Sequence, residues 1–186
     1  MVLFLYFLGN IMSELYLRGI DRWGNPYCPV LESYEGGRGG CITIWEFMAK
    51  RFAGVESLYF LDDTTLFRLA YQTKIPEHFR RVMVLTYDRA VLLNEHVDQA
   101  AKDINLVLNE FSFPSNQLNH WVQIAEDLEK HSKSKKYIGF GFNMFVDDDM
   151  FFEGEVYKKR HLEKRKKIDW RGEGYFSVYD HKIDRY

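Results

Sequence analysis

Gly36-Gly37-Arg38-Gly39-Gly40 runs directly into Cys41-Ile42-Thr43-Ile44-Trp45-Glu46-Phe47-Met48-Ala49-Lys50-Arg51-Phe52, and the reading of this join decides the fold. Glycines adopt backbone angles closed to other residues, so four of them around one arginine predict a flexible loop. The segment behind them is too apolar to lie on a surface, which predicts a buried helix over 41–53. Ile42, Trp45, Met48 or Ala49, and Phe52 share its main face. Ile44 and Phe47 fall on a flank, and Glu46 and Lys50 are spaced for an i,i+4 pair. Gly54 is the expected stop. With apolar residues on more than one side, this helix is expected at the centre, covered on at least two faces.

Upstream of the loop, residues 14–20 alternate Leu15 and Leu17 against Tyr16 and Arg18, with Gly19 interrupting, as a half-buried strand does. Asp21-Arg22-Trp23-Gly24-Asn25-Pro26 carries turn residues, and 27–34 is expected to return as an edge strand of a hairpin, Pro29 allowing no central position. The apolar opening 1–8 is far short of the ~20 residues that span a bilayer. It lacks a basic leader and a small-residue cleavage site, which leaves a strand or an upstream extension over 1–11 with a start at Met12.

Downstream, Ser57-Leu58-Tyr59-Phe60-Leu61 is ambiguous between strand and helical turn, and a helix capped by Asp62 or Asp63 is expected to bury Leu66, Leu69 and Ala70 before Pro76. Glu77-His78-Phe79-Arg80-Arg81 leads into Val82-Met83-Val84-Leu85-Thr86-Tyr87, a run with no polar face, which predicts a strand covered on both sides. Two helices follow. The first spans 94–110, with Asn94 as cap, Val97, Ala101, Ile104 and Leu108 inward, and Asp98, Lys102 and Asp103 in water. The second spans 116–131, with Leu118, Trp121 or Val122, Ala125 and Leu128 as its stripe. They are expected to pack as an antiparallel pair on the sheet. In the strand 137–146, Ile138, Phe140, Phe142, Met144 and Val146 alternate with Tyr137, Gly139, Gly141, Asn143 and Phe145. Gly139 and Gly141 leave one face bare, which marks a bulge or the close approach of a backbone or ligand. An acidic segment and then a basic one fill 147–170 as one charged excursion, and 175–179 reads as a closing strand. The expected architecture is mixed α+β in one domain over 1–186, with a mainly antiparallel or mixed central sheet, a buried helix and a helix pair packed on it.

Chemistry is less legible. The glycine loop opening a helix has the form of an anion site, in which Gly37, Gly39 and Gly40 offer N–H groups and Arg38 a bidentate contact to phosphate or carboxylate. It lacks the Lys-Ser/Thr of a P-loop and the Rossmann glycine spacing. Asp88 and Arg89, behind the 82–87 run, stand where α/β sheets build sites and are the candidate catalytic pair, against a reading as a cap or turn pair. Asp147, Asp149 and Glu153 supply oxygen ligands suited to magnesium or calcium, but consecutive aspartates converge poorly and the EF-hand spacing is absent. The scattered histidines form no zinc motif, and no nucleophile elbow occurs. No cofactor is expected.

The net charge of -2 gives no global field for nucleic acid, and the neighbouring acids discount the basic run from Lys158 to Lys167. Cys28 and Cys41 lack metal or redox spacing, as expected of a reduced, soluble, cytoplasmic protein. The aromatic share of 17%, with no catalytic signature, favours a non-catalytic domain that binds another protein, of the kind represented by bacterial immunity or inhibitor proteins. The rival is a small enzyme or ligand-binding domain with an anion site at 36–40. It requires the glycine loop, the 87–89 strand end and the bare face of Gly139 and Gly141 to meet around a cavity.

Overall fold

A computed structural model of the chain describes residues 15–21, 30–35, 37–55, 68–87, 90–110, 119–143 and 176–179. In chain order the elements are β1 (Leu15–Asp21), β2 (Val30–Tyr34), α1 (Gly37–Met48) continued by a π-helical turn (Ala49–Ala53), α2 (Glu77–Leu85) and β3 (Ala90–Leu93). A 3-10 turn (Asn94–His96) then leads into α3 (Val97–Glu110), followed by α4 (Asn119–Ser132), β4 (Tyr137–Asn143) and β5 (Phe176–Ser177). The fold is mixed α+β. Its sheet runs β2-β1-β4-β3-β5, antiparallel throughout except for the short parallel pairing of β3 with β5.

The expected pairing of the first two strands is present, with Leu15 opposite Tyr34 and Leu17 opposite Glu32. Leu15 and Leu17 are fully buried, as their alternation requires. In β4 the alternation is broken once. The register slips between Ile20 and Asp21 of β1, so Tyr137 joins Phe140 and Phe142 in the core, and Ile138 joins a smaller cluster on the far face. The Tyr137 ring lies over Gly19, where a Cβ would come within 2.4 Å of it, which is why glycine interrupts β1. The bare face is likewise explained by a backbone. A Cβ on Gly139 would lie 2.8 Å from the Leu92 carbonyl oxygen, and one on Gly141 3.2 Å from that of Ala90. Ile20 and Val91 form the buried cluster on this side of the sheet.

The expected central strand over 82–87 is a helix. Pro76 precedes α2 in an extended conformation, and its fixed φ prepares the first turn; ahead of it Arg68 and Leu69 are helical, Leu69 and Ala70 are buried, and 56–67 lie outside the described residues. Val82, Met83, Val84 and Leu85 are all buried because α2 packs against α1, α3 and β3. A helix covered on several sides loses its polar face, and over so short a run it cannot be told from a buried strand. The strand in the middle of the sheet is instead Ala90–Leu93, which alternates Ala90 and Leu92 into the main core with Val91 and Leu93 on the far side.

α1 begins at Gly37, so Gly37, Gly39 and Gly40, expected in a loop, form its first turn. Its buried face is Cys41, Ile44, Trp45, Met48 and Ala49, which moves Ile44 from the flank to the centre. Trp45 Nε1 donates to Thr86 Oγ1 at 2.6 Å, and that hydroxyl donates on to the Met83 carbonyl, tying α1 to the end of α2. Gly54 ends the helix as expected, at φ 69°, with its N–H bonded to the Ala49 carbonyl.

α3 and α4 pack against each other. Asn94 does not cap α3, and its Nδ2 donates instead to the Ser132 carbonyl at 3.3 Å. Trp121, Ile124, Ala125 and Leu128 are buried, and Val122 is exposed. With the inner sheet face, these helices enclose one core whose largest fully buried side chains include Trp121, Phe79, Phe140 and Phe142, each contributing about 1.5–3 kcal/mol. The expected segments 57–61, 116–118, 144–146 and 147–170 lie outside the described residues.

Candidate anion pocket

Only some of the residues singled out from the sequence are described. Gly37, Arg38, Gly39 and Gly40 lie in the first turn of α1, which packs on the main-core side of the sheet. Gly139 faces the other side, toward Val91. Tyr87 is buried behind a helix, not at a strand end. Asp88, Arg89, Asp147, Asp149 and Glu153 lie outside the described residues. Among the described residues no group of three His, Cys, Asp or Glu side chains is placed to hold a metal ion. No described helix is long and apolar enough to cross a membrane.

A different set of residues converges. The first two turns of α2 project Glu77, Arg80 and Arg81 to one side, at i, i+3 and i+4. They face Ala70 and Tyr71 from the preceding segment and Val178 and Tyr179 beyond β5, around a cavity of about 150 Å3. Val178 is held there by its N–H bond to the Val91 carbonyl at 2.9 Å.

Tyr179 forms a rigid wall. Its ring stacks on His96 at 4.6 Å between centroids, and the Arg81 guanidinium lies over the ring 5.0 Å from its centroid. Its hydroxyl donates to Asp103 Oδ2 at 3.0 Å. Burial, with the Asp103 carboxylate beside it, pushes the Tyr179 hydroxyl well above the ordinary phenol range, the nearby Arg81 opposing only in part. The phenol therefore acts as a donor, not as a base. Asp103, expected in water, is 2% exposed and also accepts from Gln99 Nε2 at 2.8 Å, with Arg81 Nη1 3.6 Å away. Arg81 is further engaged by the Glu77 carboxylate.

Arg80 differs from its neighbours. It is 8% exposed, and its buried Nε and Nη1 have no hydrogen-bond partner among the described residues. The nearest carboxylate oxygen, Glu77 Oε1, is 3.9 Å from Nη2, an ion pair beyond hydrogen-bonding distance. A guanidinium stays charged at any physiological pH, so burial with two donors unsatisfied costs free energy.

The other charged clusters are complete. Glu32 accepts from Lys130 at 2.7 Å and His131 at 2.8 Å, which hold its carboxyl below the usual range. Beside it Tyr34 donates to buried Asp127 at 3.0 Å. Glu110 joins Arg51 at 2.7 Å and His78 at 3.1 Å, while the Arg51 guanidinium covers the Phe47, Phe52 and Phe79 rings. These networks pin β2 to α4 and the π-helical turn to α2 and α3.

Compared with protein-family models, curated proteins and solved structures, the chain matches none. The pocket rests on its own geometry. Sequence reasoning passed over Arg80 and Arg81 as the lead-in to a strand. The signal that marks them is the pair of i,i+3 and i,i+4 spacings from Glu77 immediately after Pro76, a helical spacing with one carboxylate for two guanidinium groups.

Proposed function

We propose that the chain is a non-catalytic binding domain that captures an anionic group in the cavity beside Arg80. The observation that carries this reading is the Arg80 side chain, nine-tenths buried beside a cavity, its Nη2 only loosely paired with Glu77 and its Nε and Nη1 without a hydrogen-bond partner among the described residues. Its neighbours are committed: Arg81 to Glu77 and Asp103, and Tyr179 to Asp103. The remaining capacity is that of a binding site, with a fixed cation and a rigid aromatic wall. The proposal keeps the expected non-catalytic character and moves the anion from Gly37–Gly40 to Arg80. A cytoplasmic setting, inferred from cysteine usage, belongs to the same proposal.

The test is a thermal-shift titration of the full chain with phosphate, acetate and benzoate at constant ionic strength, chloride serving as reference. At least one of the three is expected to raise the midpoint saturably, because a ligand that binds only the folded state stabilises it by mass action. Arg80→Gln, or Arg80→Met should the first variant fold poorly, is expected to abolish the response. No response to any of them, or an equal response in the variant, overturns the reading.

A further inference from the structure

Val178 and Tyr179 bound the cavity from beyond β5, and the segment that carries them is fastened differently from the rest of the sheet. We propose that Phe176–Tyr179 is a strap that releases from the fold as a unit, without wider unfolding, and that the bond from Tyr179 to Asp103 is its latch. The strap does not depend on what fills the cavity. Pairing is the first reason. β5 is two residues long and meets β3 through the Ala90–Phe176 and Val91–Ser177 pairs, the one parallel pairing among the described strands. Parallel ladders are slightly less stable per residue than antiparallel ones. The Val178 N–H adds one bond, to the Val91 carbonyl at 2.9 Å. β1 and β4, by contrast, are paired from Tyr16–Asn143 to Asp21–Tyr137.

Packing is the second reason. Val178 and Tyr179 both line the cavity of about 150 Å3, and a side chain that borders a void forgoes contacts on that side. They still join the main core, which makes the closed form the resting one. The latch is the third. Tyr179 touches three elements at once: its hydroxyl donates to Asp103 on α3, its ring stacks on His96 of the 3-10 turn, and Arg81 of α2 lies over that ring. The clamp that makes this wall rigid is therefore also the point on which its docking depends. Asp103 keeps Gln99, at 2.8 Å, and Arg81, at 3.6 Å, when Tyr179 leaves, so release strands no buried carboxylate. Release also removes one wall of the cavity. A molecule held against Val178 or Tyr179 is then bound by the strapped form alone, and its binding keeps the strap shut.

Amide exchange of the full chain, followed residue by residue by NMR at several urea concentrations below the unfolding transition, tests the strap. The Val178 amide is expected to exchange through an opening almost independent of urea, because a local release exposes little surface. Amides of the β1–β4 ladder should exchange through openings that respond steeply to urea. Tyr179→Phe is expected to speed Val178 exchange about tenfold or more, since a hydrogen bond to a carboxylate is lost, and to leave its urea independence intact. Asp103→Asn, which keeps an acceptor without the charge, should speed it by a smaller factor. A Val178 amide with the urea dependence of the β1–β4 ladder would overturn the strap, because the segment would then leave only with the whole fold. An unchanged Val178 rate in Tyr179→Phe would overturn the latch and the proposal with it. All of these outcomes are read without a ligand, so they stand or fall apart from the anion reading.

Discussion

Replacing Gly139 by alanine probes the closest backbone approach in the sheet. The added Cβ would lie 2.8 Å from the Leu92 carbonyl oxygen and 3.2 Å from Val91 Cγ1. Contact at ordinary van der Waals distance begins near 3.4 Å, and a carbonyl fixed in a sheet ladder cannot rotate out of the way. Among the described residues β3 is joined to β4 through the Leu92–Phe140 and Leu93–Gly139 pairs, so the strain falls on the connection that carries β3 and, through it, β5. Overpacking of this kind costs about 1–3 kcal/mol. Loss of glycine's unfolded-state freedom returns about 0.4–1 kcal/mol, for a net destabilisation of roughly 1–2 kcal/mol. For a chain of this length each kcal/mol moves the midpoint by about 2–4 °C, so Gly139→Ala should melt about 2–8 °C below the parent. Gly141→Ala is the internal control. Its Cβ would stand 3.2 Å from the Ala90 oxygen, the neighbour need give only slightly, and the two effects should cancel to within about 0.5 kcal/mol. Urea unfolding at matched slope gives both values. A Gly139→Ala protein as stable as its parent, or a Gly141→Ala protein that suffers more, would refute the assignment of these glycines to strand approach.

Two further predictions bear on charge. Arg80→Met, in protein freed of small anions, should be more stable than the parent by about 1–4 kcal/mol, because a buried cation with two unsatisfied donors and only a loose pairing to Glu77 is replaced by an apolar chain of similar length. A lowered urea midpoint would show that the guanidinium holds the fold instead of waiting for a ligand. Glu32 has its carboxyl held below the ordinary glutamate value by hydrogen bonds from Lys130 and His131. A depressed carboxyl contributes stability that is complete above the unfolded value and lost as pH falls through the lower folded one. Glu32→Gln should therefore melt below the parent near neutrality, and the gap should narrow on acidification beneath about pH 4.5. Parallel melting curves across that window would remove Glu32 from the acid response.

What the sequence determined by itself was whatever repeats locally. The stripes of α3 and α4, the alternation of Leu15 with Leu17 and of Phe140 with Phe142, and the stop at Gly54 follow from periods of 3.6 and 2 and from one residue's access to positive φ. Those elements, and the mixed α+β class they imply, were legible without coordinates. Tertiary structure decided the rest, because burial on several sides erases the period that separates helix from strand. The run from Val82 to Leu85 is apolar all round since α1, α3 and β3 surround it, and only that packing makes it a helix. The pocket was hidden for a related reason. Asp103 sits on the outward positions of its own helix by pattern, yet it is buried in the fold and receives a hydrogen bond from the hydroxyl of Tyr179, 76 positions further along the chain. Arg80 and Arg81 are adjacent and chemically identical in sequence. What separates the satisfied guanidinium from the unsatisfied one is which carboxylates the fold brings to each, and no local pattern encodes that distance.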